Sequence, residues 1–196
     1  MESIFFAMAM FAFVGAVTPG PVNILATSTA AQKGLKSAMA HVLGASVAYA
    51  LVVLISGLMM GELLKLLPKL EGYLKLAGSA FLLYLAWKIF RAPAEKIGAS
   101  KDSSGLWSGS LAQLLNPKAW LVAGSGVSLY VIGQSNETMM LAFFTWISLV
   151  VCLVGIGVWA LLGHAMSGWL NNQKRQRLFN CAMSLMLVLS VSTIWV

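Results

Sequence analysis

The residues able to do chemistry in this chain are few, and they gather in two short stretches. These are "TPGPVN" (Thr18 to Asn23) and "NPK" (Asn116 to Lys118). Pro19 and Pro21 lack backbone N–H groups, so a helix running through them loses the bonds that Gly15 O and Val17 O would accept. Gly20 relaxes the backbone between the prolines, Thr18 adds a hydroxyl before the interruption and Asn23 an amide after it. Pro117 likewise releases the carbonyl of Gln113, with Asn116 and Lys118 at its sides. An interrupted helix exposes carbonyls where its first half ends and N–H groups where its second half starts. The carbonyls attract an ammonium and the N–H groups a carboxylate. An amino-acid zwitterion carries both. The two stretches therefore read as a binding site made largely of backbone, with Thr18, Asn23 and Asn116 as side-chain hydrogen-bonders and Lys118 as an auxiliary cation. A packing kink is the competing reading of the first stretch, and a Pro-Gly-Pro between polar residues weighs against it. For Lys118 the competing reading is a cation snorkelling to a membrane interface.

The elements that must position these residues follow from composition. The chain has 196 residues, 59% hydrophobic and 10% charged, with a mean hydropathy of +0.84. A soluble domain carries about 25% charge, so this chain is expected in a membrane. Six apolar stretches, about 4–31, 37–64, 73–90, 106–132, 138–162 and 178–196, suit spans of roughly 20 residues. The expected fold is an all-α membrane protein, one integral domain over residues 1–196, with six transmembrane helices of which the first and fourth are broken. The charged, Gly- and Ser-containing segment 91–106 is the one true linker, and it divides three spans from three. Three spans per half insert with opposite orientations, the arrangement of inverted-repeat transporters, although no sequence identity between the halves is evident.

Charge orients the chain. The first, third and fifth links hold nine basic residues: Lys33, Lys36, Lys88, Arg91, Lys96, Lys101, Lys174, Arg175 and Arg177. The opposite side holds three, Lys65, Lys69 and Lys75. The basic side is cytoplasmic by the positive-inside rule, which places both termini outside. The net charge of +7 then reflects cytoplasmic loops rather than a nucleic-acid partner. Both interruptions fall in the cytoplasmic half, at similar depth, which predicts one shared cavity. Glu2 with no basic residue before the first apolar run argues for a retained span over a signal peptide.

Other candidates are weaker. His41 and His164 could carry a proton near neutrality, with a packing role the commoner case. Gly44 and Ser46 are candidate lining residues in the second span. No Asp or Glu falls inside an apolar stretch, so no proton path is legible. Cys152 and Cys181 are separate and read as packing residues; no metal and no cofactor is expected. Gly124 with Gly126, Gly155 with Gly157, and Ala77 with Ser79 suit close helix approach. Trp87, Trp107, Trp120, Trp159, Trp169 and Trp195 suit interfacial belts.

At these residues the sequence resembles the LysE/RhtB family of bacterial amino-acid exporters. The likeness rests on Thr18-Pro19-Gly20-Pro21 with Asn23, on Asn116-Pro117-Lys118, on Gly34, and on "AGSAFLLYLAWKIFRAP" (Ala77 to Pro93). It covers essentially the whole chain. The second span, "HVLGASVAYALVV", lacks the acidic residue that many members carry, and with "WALLGHAMSGWL" is most similar to the cysteine/O-acetylserine exporter subgroup. The resemblance implies export of an amino acid or relative across the inner membrane, driven by the proton motive force. The missing acid favours a small neutral substrate, cysteine/O-acetylserine-like or threonine/homoserine-like. The expected partners are that substrate and the lipid bilayer, with homo-oligomerisation left open. A cation or metal exporter, a membrane enzyme and a non-transporting subunit are the alternatives. None has its ligand cluster, nucleophile–base pair or other signature here.

Overall fold

Pro21 and Pro117 each open a helix, where a missing N–H costs nothing and a fixed φ fits. Each therefore starts the second half of an interrupted segment. In the computed structural model residues 2–91, 104–192 and 194–195 are described. Their secondary structure is helical throughout: α1 (Glu2–Val17), α2 (Pro21–Lys33), α3 (Leu35–Leu58), α4 (Met60–Phe90), α5 (Ser104–Leu114), α6 (Pro117–Tyr130), α7 (Glu137–Ala165) and α8 (Gln173–Ser192), with a 3₁₀ turn at Trp169–Asn171. No strand occurs among the described residues.

α3 and α7 are each long and apolar enough to cross a membrane alone. α1 and α2 meet that test together, bent by 60° at residues 18–20. The sharp reversal from α2 to α3 is made at Gly34, whose φ of 86° is open to glycine at little cost. α3 and α7 form the centre, and α2 lies between α7 and α3 with most of its residues buried. α3 packs tightly on α5 because both present glycine. A Cβ on Gly105 would sit 2.6 Å from Ser37 O, one on Gly109 2.1 Å from His41 O, and one on Gly44 2.1 Å from Leu106 O. Gly105 and Gly109 form a small-xxx-small pair that brings the backbones together.

Several boundaries differ from those expected. The apolar pattern carries the second span to residue 64 and leaves a link before residue 73. The chain instead turns at Met59, and α4 is one 31-residue helix. Lys65, Lys69 and Glu71 lower hydropathy without opposing helix formation, and Pro68 removes one bond without ending the helix. α8 likewise begins at Gln173, ahead of the expected residue 178, through the polar run "QKRQR". Residues 92–103 of the linker expected at 91–106 lie outside the described residues, Lys96 and Lys101 among them.

The small-residue expectations divide. Gly155 meets Ala16, its would-be Cβ 2.9 Å from the alanine Cβ, and Gly126 meets the Phe144 ring. Gly124 and Gly157 face open space. Trp120, Trp159 and Trp195, expected in interfacial belts, also bond to the protein itself. Their indole N–H groups donate to Leu114 O (2.8 Å), Val17 O (3.1 Å) and Ser79 Oγ (2.9 Å) within the protein.

Candidate functional site: a cavity between two broken helices

The interruption between α1 and α2 leaves carbonyls that the helix no longer satisfies, and most are retrieved locally. Val14 O accepts from Thr18 N and from Thr18 Oγ1. Asn23 Nδ2 donates to Ala16 O and to Thr18 O, each at 3.0 Å. Val17 O, released by Pro21, accepts from Trp159 of α7. Gly15, whose carbonyl Pro19 releases, lines a cavity. At the other face of the break Gly20 is the residue before α2, and no side chain caps that helix start. The N–H groups of the first turn, at Val22 and Asn23, therefore sit at the same cavity without an intrahelical partner.

The interruption between α5 and α6 is built differently. Gln113 O, released by Pro117, accepts from Asn116 N at 3.2 Å. Leu114 O accepts from Trp120. Asn116 Oδ1 accepts from Lys118 N at 3.1 Å and so caps α6. This break closes on itself, whereas the first stays open toward the cavity.

Both breaks border one cavity of about 40 Å³. Its walls include Gly15, Thr18, Gly20, Val22 and Asn23 from the first break and Gln113, Asn116 and Lys118 from the second. Lys118 Nζ reaches across to within 3.9 Å of where a Cβ on Gly20 would lie. That volume holds a few water molecules, so an amino acid enters only after these walls part. Tyr49, Cys152 and Ile156 complete the lining from α3 and α7, beside Ala119 and Val122 of α6.

Of the candidates read from sequence, Thr18, Gly20, Asn23, Asn116 and Lys118 come together here. Pro19, Pro21 and Pro117 shape the breaks and are absent from the lining. His41, Gly44 and Ser46 are buried on α3 behind the cavity wall. Thr18, Asn23 and Asn116 spend hydrogen bonds on the breaks themselves, which leaves Asn23 Oδ1 and Asn116 Nδ2 as their further polar atoms. Tyr49, Gln113 and Cys152 escaped the sequence reading. A phenol within an apolar span and a glutamine whose own carbonyl the proline frees were the available signals. His164 is exposed on the last turn of α7.

A second cavity, of about 540 Å³, lies among α2, α3, α4 and α5. Lys33, Lys88, Arg91, Trp87, Trp107 and Ser108 are among its walls. These come from the end of α2, the end of α4 and the start of α5, all at one end of the molecule. On the opposite side of the small cavity, Phe11, Tyr130 and Phe144 form an aromatic cluster with ring centroids 5.6 to 6.4 Å apart.

A membrane chain whose helices break around a cavity lined by both polar and apolar residues has the architecture of a translocator. The family pattern described as LysE type translocator matches residues 13–192, and the chain belongs to that family. It is 29% identical over 181 residues to the cysteine/O-acetylserine efflux proteins of Escherichia coli strain K12, Escherichia coli O1:K1 / APEC and Shigella flexneri. The match covers 91% of this chain and 90% of each relative. These relatives are efflux proteins rather than enzymes. No solved structure matches the chain.

Proposed function

We propose that this protein exports a small neutral amino acid or derivative, of the cysteine/O-acetylserine or threonine/homoserine kind, across the bacterial inner membrane. The observation that carries this reading is the open first break. An uncapped helix start (Gly20 to Asn23), a released carbonyl (Gly15) and an ammonium (Lys118) share one cavity. The helix start and Lys118 suit a carboxylate, and Gly15 O suits an α-ammonium. Ala119, Val122, Tyr49, Cys152 and Ile156 leave a mainly apolar wall for a short side chain. The efflux relatives favour the cysteine or O-acetylserine choice.

In this reading α1 with α2 and α5 with α6 are two broken spans among six, in a 3+3 arrangement with both termini outside. The wide cavity, ringed by Lys33, Lys88 and Arg91, is the cytoplasmic vestibule. The Phe11–Tyr130–Phe144 cluster closes the outer side, and export alternates between opening the vestibule and parting that cluster.

The test is efflux from right-side-out and everted vesicles with a panel of labelled amino acids, with and without a pH gradient. Gradient-dependent movement of a small neutral amino acid is expected. Movement of none, with insertion verified, overturns the proposal.

A further inference from the structure

His41 has no solvent exposure and stands between the two cavities. Its Nε2 lies 3.2 Å from Val22 O, and Val22 lines the small cavity. Its Nδ1 lies 3.0 Å from Ser108 Oγ, and Ser108 Oγ lies 3.1 Å from Gly105 O. Ser108 and Gly105 line the wide cavity. The ring therefore bridges the backbone of the open break to the wall of the vestibule, across three helices.

A carbonyl only accepts, so Nε2 carries the proton given to Val22 O. Ser108 has one hydroxyl proton. If it donates to Gly105 O, then Nδ1 must donate to Ser108 Oγ, and the ring carries two protons. If it donates to Nδ1, the ring is neutral and the contact to Gly105 O lapses. Rotating one hydroxyl thus gives satisfied hydrogen bonds to both protonation states.

We propose that His41 is the proton-carrying residue of the export cycle and that Ser108 is its exchange partner toward the vestibule. The proposal rests on the exporter reading above. In the step, a hydronium ion of the vestibule gives its proton to Nδ1 and leaves as water, so one O–H bond breaks and one N–H bond forms; the Nε2–H bond to Val22 O is kept, and the Ser108 hydroxyl turns from Nδ1 to Gly105 O. Release reverses it, and no other bond forms or breaks. The state of the ring is thereby tied to the first turn of α2, whose N–H groups bound the substrate cavity.

The other titratable groups around the two cavities are basic, phenolic or thiol. The titratable and cationic groups of the two cavities are Lys33 from α2, Tyr49 from α3, Tyr84, Lys88 and Arg91 at α4, Lys118 from α6 and Cys152 from α7. α5 has no titratable side chain. Among the described residues no carboxylate lines either cavity. His41 lies outside both linings yet connects them, and an imidazole differs from every group of this set in having two nitrogens that can each hold a proton, here facing α2 and α5.

The experiment uses the full chain reconstituted in liposomes, with labelled cysteine as the probe. Two rates are read: accumulation driven by a pH gradient, and counterflow at equal pH, which needs no net proton movement. In His41→Gln the gradient-driven rate should fall on the order of tenfold or more, its pH dependence should flatten, and counterflow should persist. Gradient-driven accumulation at the wild-type level in His41→Gln overturns the proposal. If His41→Gln loses both rates, Ser108→Ala decides. A slowed gradient-driven rate with retained counterflow supports the relay, and two unchanged rates refute it. A wild-type protein that moves neither cysteine nor any other amino acid of the panel fails the exporter reading instead, and counterflow without any gradient dependence in the wild type overturns proton carriage by His41.

Discussion

The indole N–H of Trp159, on α7, donates to the backbone carbonyl of Val17, the last residue of α1, at 3.1 Å. These residues are 142 positions apart. Trp120 does the same for Leu114 O, the last residue of α5. Each broken helix thus ends on an indole. Lipid supplies no donors, so a carbonyl left at a break must find one in the protein: Val17 O because Pro21 has no N–H, Leu114 O because Lys118 N turns to Asn116 Oδ1. Trp159→Phe keeps the ring and removes the donor. A loss of about 1 kcal/mol is expected, read as a lowered thermal midpoint in detergent. Trp146→Phe, at a position 65% exposed and without such a bond, should leave the midpoint where it is.

Restoring the helix should remove the backbone groups proposed to bind substrate. Pro19→Ala with Pro21→Ala returns two N–H groups to α1–α2 and lets Gly15 O and Val17 O take helical partners. Insertion and yield should be preserved while transport falls on the order of tenfold or more, as expected when a charge-assisted hydrogen bond is lost. Transport at the wild-type rate would show that the break is only a kink.

Lys118 is half-buried and directed at Gly20. Lys118→Gln removes the charge and keeps a donor of similar reach. A charge-assisted bond contributes about 1.5–3 kcal/mol, so apparent substrate affinity should weaken by roughly 10- to 100-fold. An unchanged affinity would return Lys118 to the membrane interface. Asn116→Ala offers a contrast, because its Oδ1 caps α6. Stability should drop by about 1 kcal/mol, measured on the purified protein.

Two glycine substitutions of equal chemistry should have opposite outcomes. A Cβ at Gly109 would meet His41 O at 2.1 Å, backbone that cannot yield, whereas a Cβ at Gly124 meets nothing within 4 Å. Gly109→Ala should sharply reduce the yield of folded protein by size exclusion. Gly124→Ala should behave as wild type.

The aromatic cluster predicts a gate. Phe11 lies four residues before Gly15, about 6 Å along the helix, and packs on Tyr130 and Phe144. Phe11→Ala should expose the cavity from the outer side. Cys152 in its wall should then react faster with a membrane-impermeant thiol reagent applied outside. An unchanged labelling rate, with Cys181→Ser as background, would place the outer closure elsewhere.

Much of the site was legible before any coordinates. Proline has no N–H wherever it stands, so the breaks at residues 18–20 and 115–116 and the helix starts at Pro21 and Pro117 follow from local covalent chemistry. The membrane class follows from composition in the same direct way. The order of the apolar stretches by itself predicts that both interruptions open on one cavity, as they do.

The roles of individual polar atoms needed the tertiary structure, because they depend on which helix faces lie opposite each other. Asn23 and Asn116 look alike in sequence, yet one ties carbonyls across an open break and the other caps its own helix. Trp120 and Trp159 carry the composition of interfacial residues, and only packing across α5, α6, α7 and α1 turns their N–H groups inward. Hydropathy placed a link before residue 73 where α4 is continuous, since it reports apolar length and not helical hydrogen bonding. His41 is one polar residue on an apolar helix until Val22, 19 residues away, and Ser108, 67 residues away, are brought to its two nitrogens. Local sequence thus determined where the backbone must open; long-range packing decided which opening stays exposed to a cavity.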